Sequence, residues 1–121
     1  MIISDKMREY LAKAPSFNEH FEKQMQDPEY QKEWLKVSLE DFLENGDVDE
    51  FIRSLTYVVQ ARGRGEITRL AKELKIDRSN LSEIINGKTK PQLSTVLKLI
   101  NGLGYDYEIK LKQSKDKKKP A

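Results

Sequence analysis

At 121 residues, 37% hydrophobic and 35% charged, the chain has material for one domain of about 100 residues plus an appendage, and none for a second full core. It has no cysteine, which excludes disulfides, thiolate metal sites and a cysteine nucleophile and makes a reducing, cytoplasmic location the expectation. The formal charge of +2 hides a division: residues 1–50 hold 6 basic and 13 acidic side chains, net −7, and the remainder 16 and 7, net +9. The second half thus suits a polyanion, while the first either suits a basic partner or holds the polyanion off. Apolar runs are only a few residues long, and Asp5, Lys6 and Arg8 stand where a signal peptide would be apolar, so neither secretion nor membrane insertion is expected.

Residues 1–26 are polar, with Met7, Tyr10 and Leu11 and then, after Pro15, Phe17, Phe21 and Met25. The last three, four apart, predict one narrow helix face that needs a surface to lie on. Asp27-Pro28-Glu29 reads as a helix start, with an acceptor at the cap, Pro at the first position and an acid at the positive end. The helix is predicted over 28–44 with Leu35, Leu39, Phe42 and Leu43 on one face and Tyr30, Trp34 and Val37 on an adjacent stripe. That is more apolar width than one contact needs, so one stripe is available to a partner. Asn45-Gly46 ends the helix, and Asp47 with Glu50 reads as a capping box.

A third helix over 48–62 carries Val48, Phe51, Ile52, Leu55, Val58 and Val59 in a three-four repeat and should form the core. After Gly63-Arg64-Gly65 come three short helices, marked by Ile67, Leu70, Ala71 and Leu74, by Leu81, Ile84 and Ile85, and by Leu93, Val96, Leu97, Ile100 and Leu103. Gly102 and Gly104 close the last. Tyr105, Tyr107, Ile109 and Leu111 then alternate with Asp106, Glu108, Lys110 and Lys112, the period of a half-buried strand. No other segment reads as a strand, so pairing with a second copy, and hence dimerisation through these four apolar residues, is favoured. The predicted organisation is an acidic helical extension over 1–47, a helical domain over 48–104, a strand over 105–112 and a basic disordered tail over 113–121.

Residues 66–86 read as two short helices joined at Lys75-Ile76-Asp77. Asp77 is placed to cap the second, and Leu81, Ile84 and Ile85 to fasten it, leaving Arg78, Ser79, Asn80, Ser82, Glu83 and Asn86 outward. Such a face suits base edges in a major groove. Gly87-Lys88-Thr89-Lys90-Pro91 follows, a turn whose Lys88 and Lys90 suit phosphate. Thr68 and Arg69, early in the first helix, complete the candidate DNA contacts. Glu83 serves equally as a cytosine acceptor or as spacing, and Arg62, Arg64 and the lysines of 115–119 equally as contacts or as a solubilising rim.

The stretch RLAKELKIDRSNLSEIINGKTKPQLSTVLKLINGLG, 69–104, resembles the DNA-binding domain of lambda-repressor-like, or xenobiotic-response-element, transcription regulators. The likeness rests on Leu70-Ala71, Ile76, Leu81, Ile84, Gly87-Lys88, Pro91 and Leu103-Gly104. Two positions depart from it. Lys75 stands where the family usually has Gly, and is expected to turn left-handed at about 1 kcal/mol. Ile67 or Arg69 stands where a Gln is usual, which leaves one expected contact without its residue. Upstream, DPEYQKEWLKVSLEDFLENGDVDEFIRSLTYVVQARG resembles the corresponding region of HigA-like and related addiction-module antidote proteins, with the acidic run at 39–47 as its marker.

The resemblance implies an all-α, lambda-repressor-like helix-turn-helix protein of four to five helices. It implies an antitoxin that neutralises a small basic ribonuclease toxin through its beginning and represses its own operon as a homodimer on an inverted repeat, with recognition helices about 34 Å apart. Phe17, Phe21, Met25, Tyr30 and Trp34 are candidate toxin contacts, although the same residues suit the chain's own core. A stand-alone phage-type repressor and a scaffold that binds only protein are the competing readings. Enzyme activity, cofactors and metals are not expected: His20 is solitary, and Glu40-Asp41 and Asp47-Asp49 lack a neighbouring nucleophile or phosphate-cradling loop.

Overall fold

In the computed structural model, which describes residues 17–114, the chain forms six helices: α1 (Phe17–Gln24), α2 (Pro28–Asn45), α3 (Val48–Arg62), α4 (Glu66–Leu74), α5 (Arg78–Ile85) and α6 (Leu93–Gly102). The first boundaries follow from local chemistry. Asp27 is extended and accepts the Glu29 N–H at 3.0 Å, with Pro28 in the first helical position where no N–H is needed. Gly46, left-handed at φ 71°, closes α2 by donating to the Phe42 carbonyl at 2.8 Å. Asp47 then caps α3 by accepting the Glu50 N–H at 3.1 Å. The return half of the expected capping box is replaced: the Asp47 N–H donates to Asn45 Oδ1 at 2.8 Å, and Glu50 pairs with Arg53 at 2.6 Å.

α3 is the centre of the core. Its Phe51, Leu55 and Val58 are fully buried, and they share one cluster with Leu70 and Ala71 of α4, Leu81, Ile84 and Ile85 of α5, and Val96, Leu99 and Ile100 of α6. The Thr56 hydroxyl donates to the Ile85 carbonyl at 3.0 Å and ties α3 to the end of α5. Gly102 lets α6 approach α4, since a Cβ there would lie 2.9 Å from Leu70 Cδ2.

α2 is held to α3 by apolar contacts, Trp34 against Tyr57 and Phe42 against Phe51, and by polar groups between them. The Ser38 and Ser54 hydroxyls are hydrogen-bonded and buried, Ser38 Oγ also bonds the Trp34 carbonyl at 2.7 Å, and Trp34 Nε1 donates to the Ser54 carbonyl at 2.9 Å. Small side chains at this contact let the two backbones come close while every buried donor finds an acceptor. Of the predicted apolar face, Leu35 is buried and Leu39 and Phe42 pack partly on the core, but Leu43 is exposed, as is Val37 of the adjacent stripe. α1 finds its surface on the same chain. Phe21 lies 5.1 Å from the Trp34 ring and 5.2 Å, edge-on, from Tyr57, while Gln31 Nε2 donates to the Met25 carbonyl at 2.6 Å.

No strand forms among the described residues, so the strand expected over 105–112 is not seen in the single chain. The Tyr105 N–H still bonds the Ile100 carbonyl at 3.2 Å and the Tyr105 carbonyl accepts from Asn101 Nδ2 at 2.8 Å. Beyond that the segment runs without turn or bend, and among the described residues no other extended segment pairs with it. The predicted disordered tail, apart from Gln113 and Ser114, and the apolar residues Met7, Tyr10 and Leu11 lie outside the described residues. Among those described, no helix is long and apolar enough to cross a membrane.

Candidate functional site

The candidate site is built on α4 and α5. Lys75 ends α4 in the left-handed conformation, φ 57° and ψ 42°, and is the only non-glycine residue with positive φ among the described residues. The Ile76 N–H donates to the Ala71 carbonyl at 3.0 Å and the Lys75 N–H to the Lys72 carbonyl at 3.3 Å, the paired bonds of a Schellman ending. α5 ends in the same way. Gly87 has φ 78°, its N–H donates to the Ile84 carbonyl at 3.0 Å, and the Lys88 N–H reaches the Glu83 carbonyl at 2.9 Å. Both endings fix the chain direction on either side of α5.

With Leu81, Ile84 and Ile85 buried, α5 turns Arg78, Ser79, Asn80, Glu83 and Asn86 to solvent, and Ser82 is half-buried. Arg78 Nε donates to the Thr68 hydroxyl at 2.8 Å, joining the outer faces of α5 and α4. Asn86 Nδ2 lies 3.4 Å from Ser82 Oγ, and the Thr89 hydroxyl 3.5 Å from Glu83 Oε2, which turns that carboxylate toward the loop. Lys88 and Lys90 are exposed, with Lys90 Nζ 3.7 Å from Asp49 Oδ2. Asp77 stands at the cap position of α5 as expected, but its carboxylate accepts the Ser79 hydroxyl at 2.5 Å. That bond, with lesser help from the Asn80 and Ser79 N–H groups, holds the carboxyl below its usual range.

Arg69, a candidate DNA contact, is hydrogen-bonded within the fold. Its Nε and Nη2 donate to the two Glu66 carboxylate oxygens at 2.7 and 2.8 Å, Nη1 to Glu73 at 3.0 Å, and Nη2 also to the Gly102 carbonyl at 2.8 Å. The guanidinium is occupied within the fold, where it ties both ends of α4 to the end of α6. Glu66 is buried, and hydrogen bonding to Arg69 outweighs burial and draws its carboxyl below the ordinary glutamate value, with Arg62 adding to the effect. Arg62 is a second junction. It donates to Gln31 of α2 at 3.2 Å, Glu66 of α4 at 3.3 Å and the Tyr105 hydroxyl at 3.2 Å. Sequence reasoning leaves this side chain open between a DNA contact and a solubilising rim, although its four-residue spacing to Glu66 is a visible signal.

The candidate toxin contacts are differently placed. Phe21 and Met25 are buried, and Tyr30 and Trp34 are half-buried against them, so the chain's own core takes up most of this surface. The Phe17 side chain lies outside what is described. Among the described residues no three His, Asp or Glu side chains converge to hold a metal ion. The dimerisation candidates separate along the segment: Tyr105 packs on the core, whereas Tyr107, Ile109 and Leu111 are exposed.

Among the described residues six helices surround one core, two of them presenting a hydrogen-bonding outer face, which is an all-α fold. A family model described as probable addiction module antidote protein matches residues 19–111, and the chain belongs to that family. Membership supports an antitoxin role in a toxin–antitoxin system and implies a toxin partner of some kind. No curated protein and no solved structure matches the chain.

Proposed function

We propose that the protein is the antitoxin of a toxin–antitoxin module that acts in the cytoplasm, represses its own operon through a lambda-repressor-like helix-turn-helix over α4 and α5, and neutralises a small basic ribonuclease with its acidic first half. It does so without catalysis of its own. The observation that carries the DNA reading is the α5 face: Arg78, Ser79, Asn80, Glu83 and Asn86 are exposed on a helix anchored from behind by three buried aliphatic residues. A rigid helix edge rich in donors and acceptors suits base readout, and Lys88 and Lys90 beside it suit phosphate. A homodimer would set two such faces on an inverted repeat, in neighbouring major grooves about 34 Å apart.

For the toxin, the exposed acids Glu33, Glu40 and Glu44 of α2, together with the exposed Val37 and Leu43, offer a basic protein both charge and apolar surface. Family membership favours this reading over a stand-alone phage-type repressor. The test is a footprint on the DNA preceding the gene, run beside a ribonuclease assay of the small basic protein that this reading expects a neighbouring reading frame to encode. A protected inverted repeat and inhibition of RNA cleavage are expected. An unprotected promoter overturns the repressor role, and undiminished cleavage at equimolar chain overturns the antitoxin role.

A further inference from the structure

We infer that residues 105–112 pair antiparallel with the same segment of a second copy, about a two-fold axis at Ile109. The inference deepens the homodimer proposed above and rests on it. Among the described residues, 106–112 make no backbone hydrogen bond, although the segment runs without turn or bend. That row of open donors and acceptors is a template for another strand. Its apolar side chains become steadily barer along the chain: Tyr105 packs on the core, Tyr107 is 37% exposed, Ile109 47% and Leu111 99%. A face covered at its root and open at its tip calls for a cover that runs the opposite way.

The charges select both the partner and the register. With the axis at Ile109, Asp106 faces the second copy's Lys112, Glu108 faces its Lys110, Tyr107 faces its Leu111, and Ile109 faces itself. Every pair is of opposite charge or wholly apolar, and directly opposed side chains share one face of the ribbon. Moving the axis one residue either way sets Glu108 or Lys110 against its own copy. A parallel pairing in register opposes like charges at all four polar positions. A half-residue shift places apolar against charged side chains.

A two-stranded ribbon is marginal on its own and needs a surface to pack on. The fold supplies one: a groove of about 640 Å³ between α2 and residues 104–108, where Leu35, Leu39, Leu43 and Tyr107 are flanked by charged side chains such as Lys36 and Glu40. In the stated register the second copy's Leu111 lies opposite Tyr107, at the mouth of this groove. Leu111 of one copy, the most exposed large apolar side chain among the described residues, thereby meets the exposed Tyr107 of the other at a groove that also holds the exposed Leu43.

The test uses two full-length variants, D106K/E108K and K110E/K112E, each of which places like charges across the ribbon if it pairs with itself. In sedimentation velocity the wild type should be a dimer, and each variant alone should dimerise about a hundredfold more weakly. An equimolar mixture should recover dimers that native mass spectrometry shows to contain one chain of each kind. The four side chains are exposed, so circular dichroism should be unchanged. Two variants that each dimerise like the wild type overturn the register while leaving the homodimer standing, with its interface elsewhere. A mixture that stays monomeric overturns the register as well. A monomeric wild type overturns the homodimer and this inference with it.

Discussion

Arg69 grips Glu66 with two parallel hydrogen bonds of 2.7 and 2.8 Å one turn apart on α4, and extends the same guanidinium to Glu73 and to the Gly102 carbonyl at the end of α6. This is a bidentate, charge-assisted pair in which the carboxylate is buried and the guanidinium is half-exposed. Replacing Arg69 by Ala should therefore lower stability by about 1–3 kcal/mol, measured by urea unfolding. A loss below a few tenths would remove Arg69 from the fold's supports.

The same pair predicts a pH dependence. Because the Glu66 carboxyl is held below its ordinary value in the folded chain, its contribution is complete above the unfolded value of about 4.3 and is lost as pH falls through the depressed folded value. Glu66→Gln should cost stability at pH 7, and its gap from the wild type should narrow steadily below about pH 4. A gap that stays constant down to about pH 2.5 contradicts this assignment.

Lys75 holds a left-handed backbone that favours glycine. Lys75→Gly should raise stability by about 1 kcal/mol, because the relief of the Cβ contact outweighs the added freedom of the unfolded chain. Chemical denaturation checks the sign, and a destabilised variant would mean that the Lys75 side chain makes up for its backbone.

Phe21 packs against Trp34, the chain's single tryptophan. Phe21→Ala should cost about 3 kcal/mol and shift Trp34 fluorescence to the red as water reaches the indole. If stability and emission stay put, α1 does not lie on α2 and α3 in solution, and Phe21 returns to the toxin-facing set.

For DNA, Arg78→Ala and Asn80→Ala should each cost about 1–3 kcal/mol and relax the preference at particular base pairs. Lys88→Ala and Lys90→Ala should weaken all sequences alike and lower the salt slope by roughly one for each phosphate no longer neutralised. Competition binding at two salt concentrations separates the two patterns, and equal behaviour of all four variants argues against a reading face on α5.

How much of the fold is written in the sequence depends on the range of the interaction. Asp27-Pro28, Asn45-Gly46 and Asp47 mark the ends of α2 and the start of α3 because caps act over two or three residues, and the helices begin and end there. The conformation of Lys75 is legible from the resemblance, since the family usually has Gly at its place between the two helices. The cover for Phe21 and Met25 is not, because periodicity gives a helix a face without saying what lies on it. Arg69 is legible only in part for a related reason: Glu66 and Glu73 are visible at helical spacing, but the Gly102 carbonyl comes from 33 residues away. For 105–112 the two-residue period is plain, but a strand needs a neighbour, and the described residues of one copy supply none.

Arg62 touches Gln31, Glu66 and Tyr105, and so fastens α2, α4 and the C-terminal segment to α3 through a single planar group. Three elements that share one fastener cannot drift independently. A ligand that pulls α2 outward must first prise Gln31 from that guanidinium, and the freed N–H then competes for the lone pairs of Glu66 and Tyr105. Grip on one face is in this way converted into altered tension on the other two, as when slackening one guy rope changes the load on every line tied to the same peg.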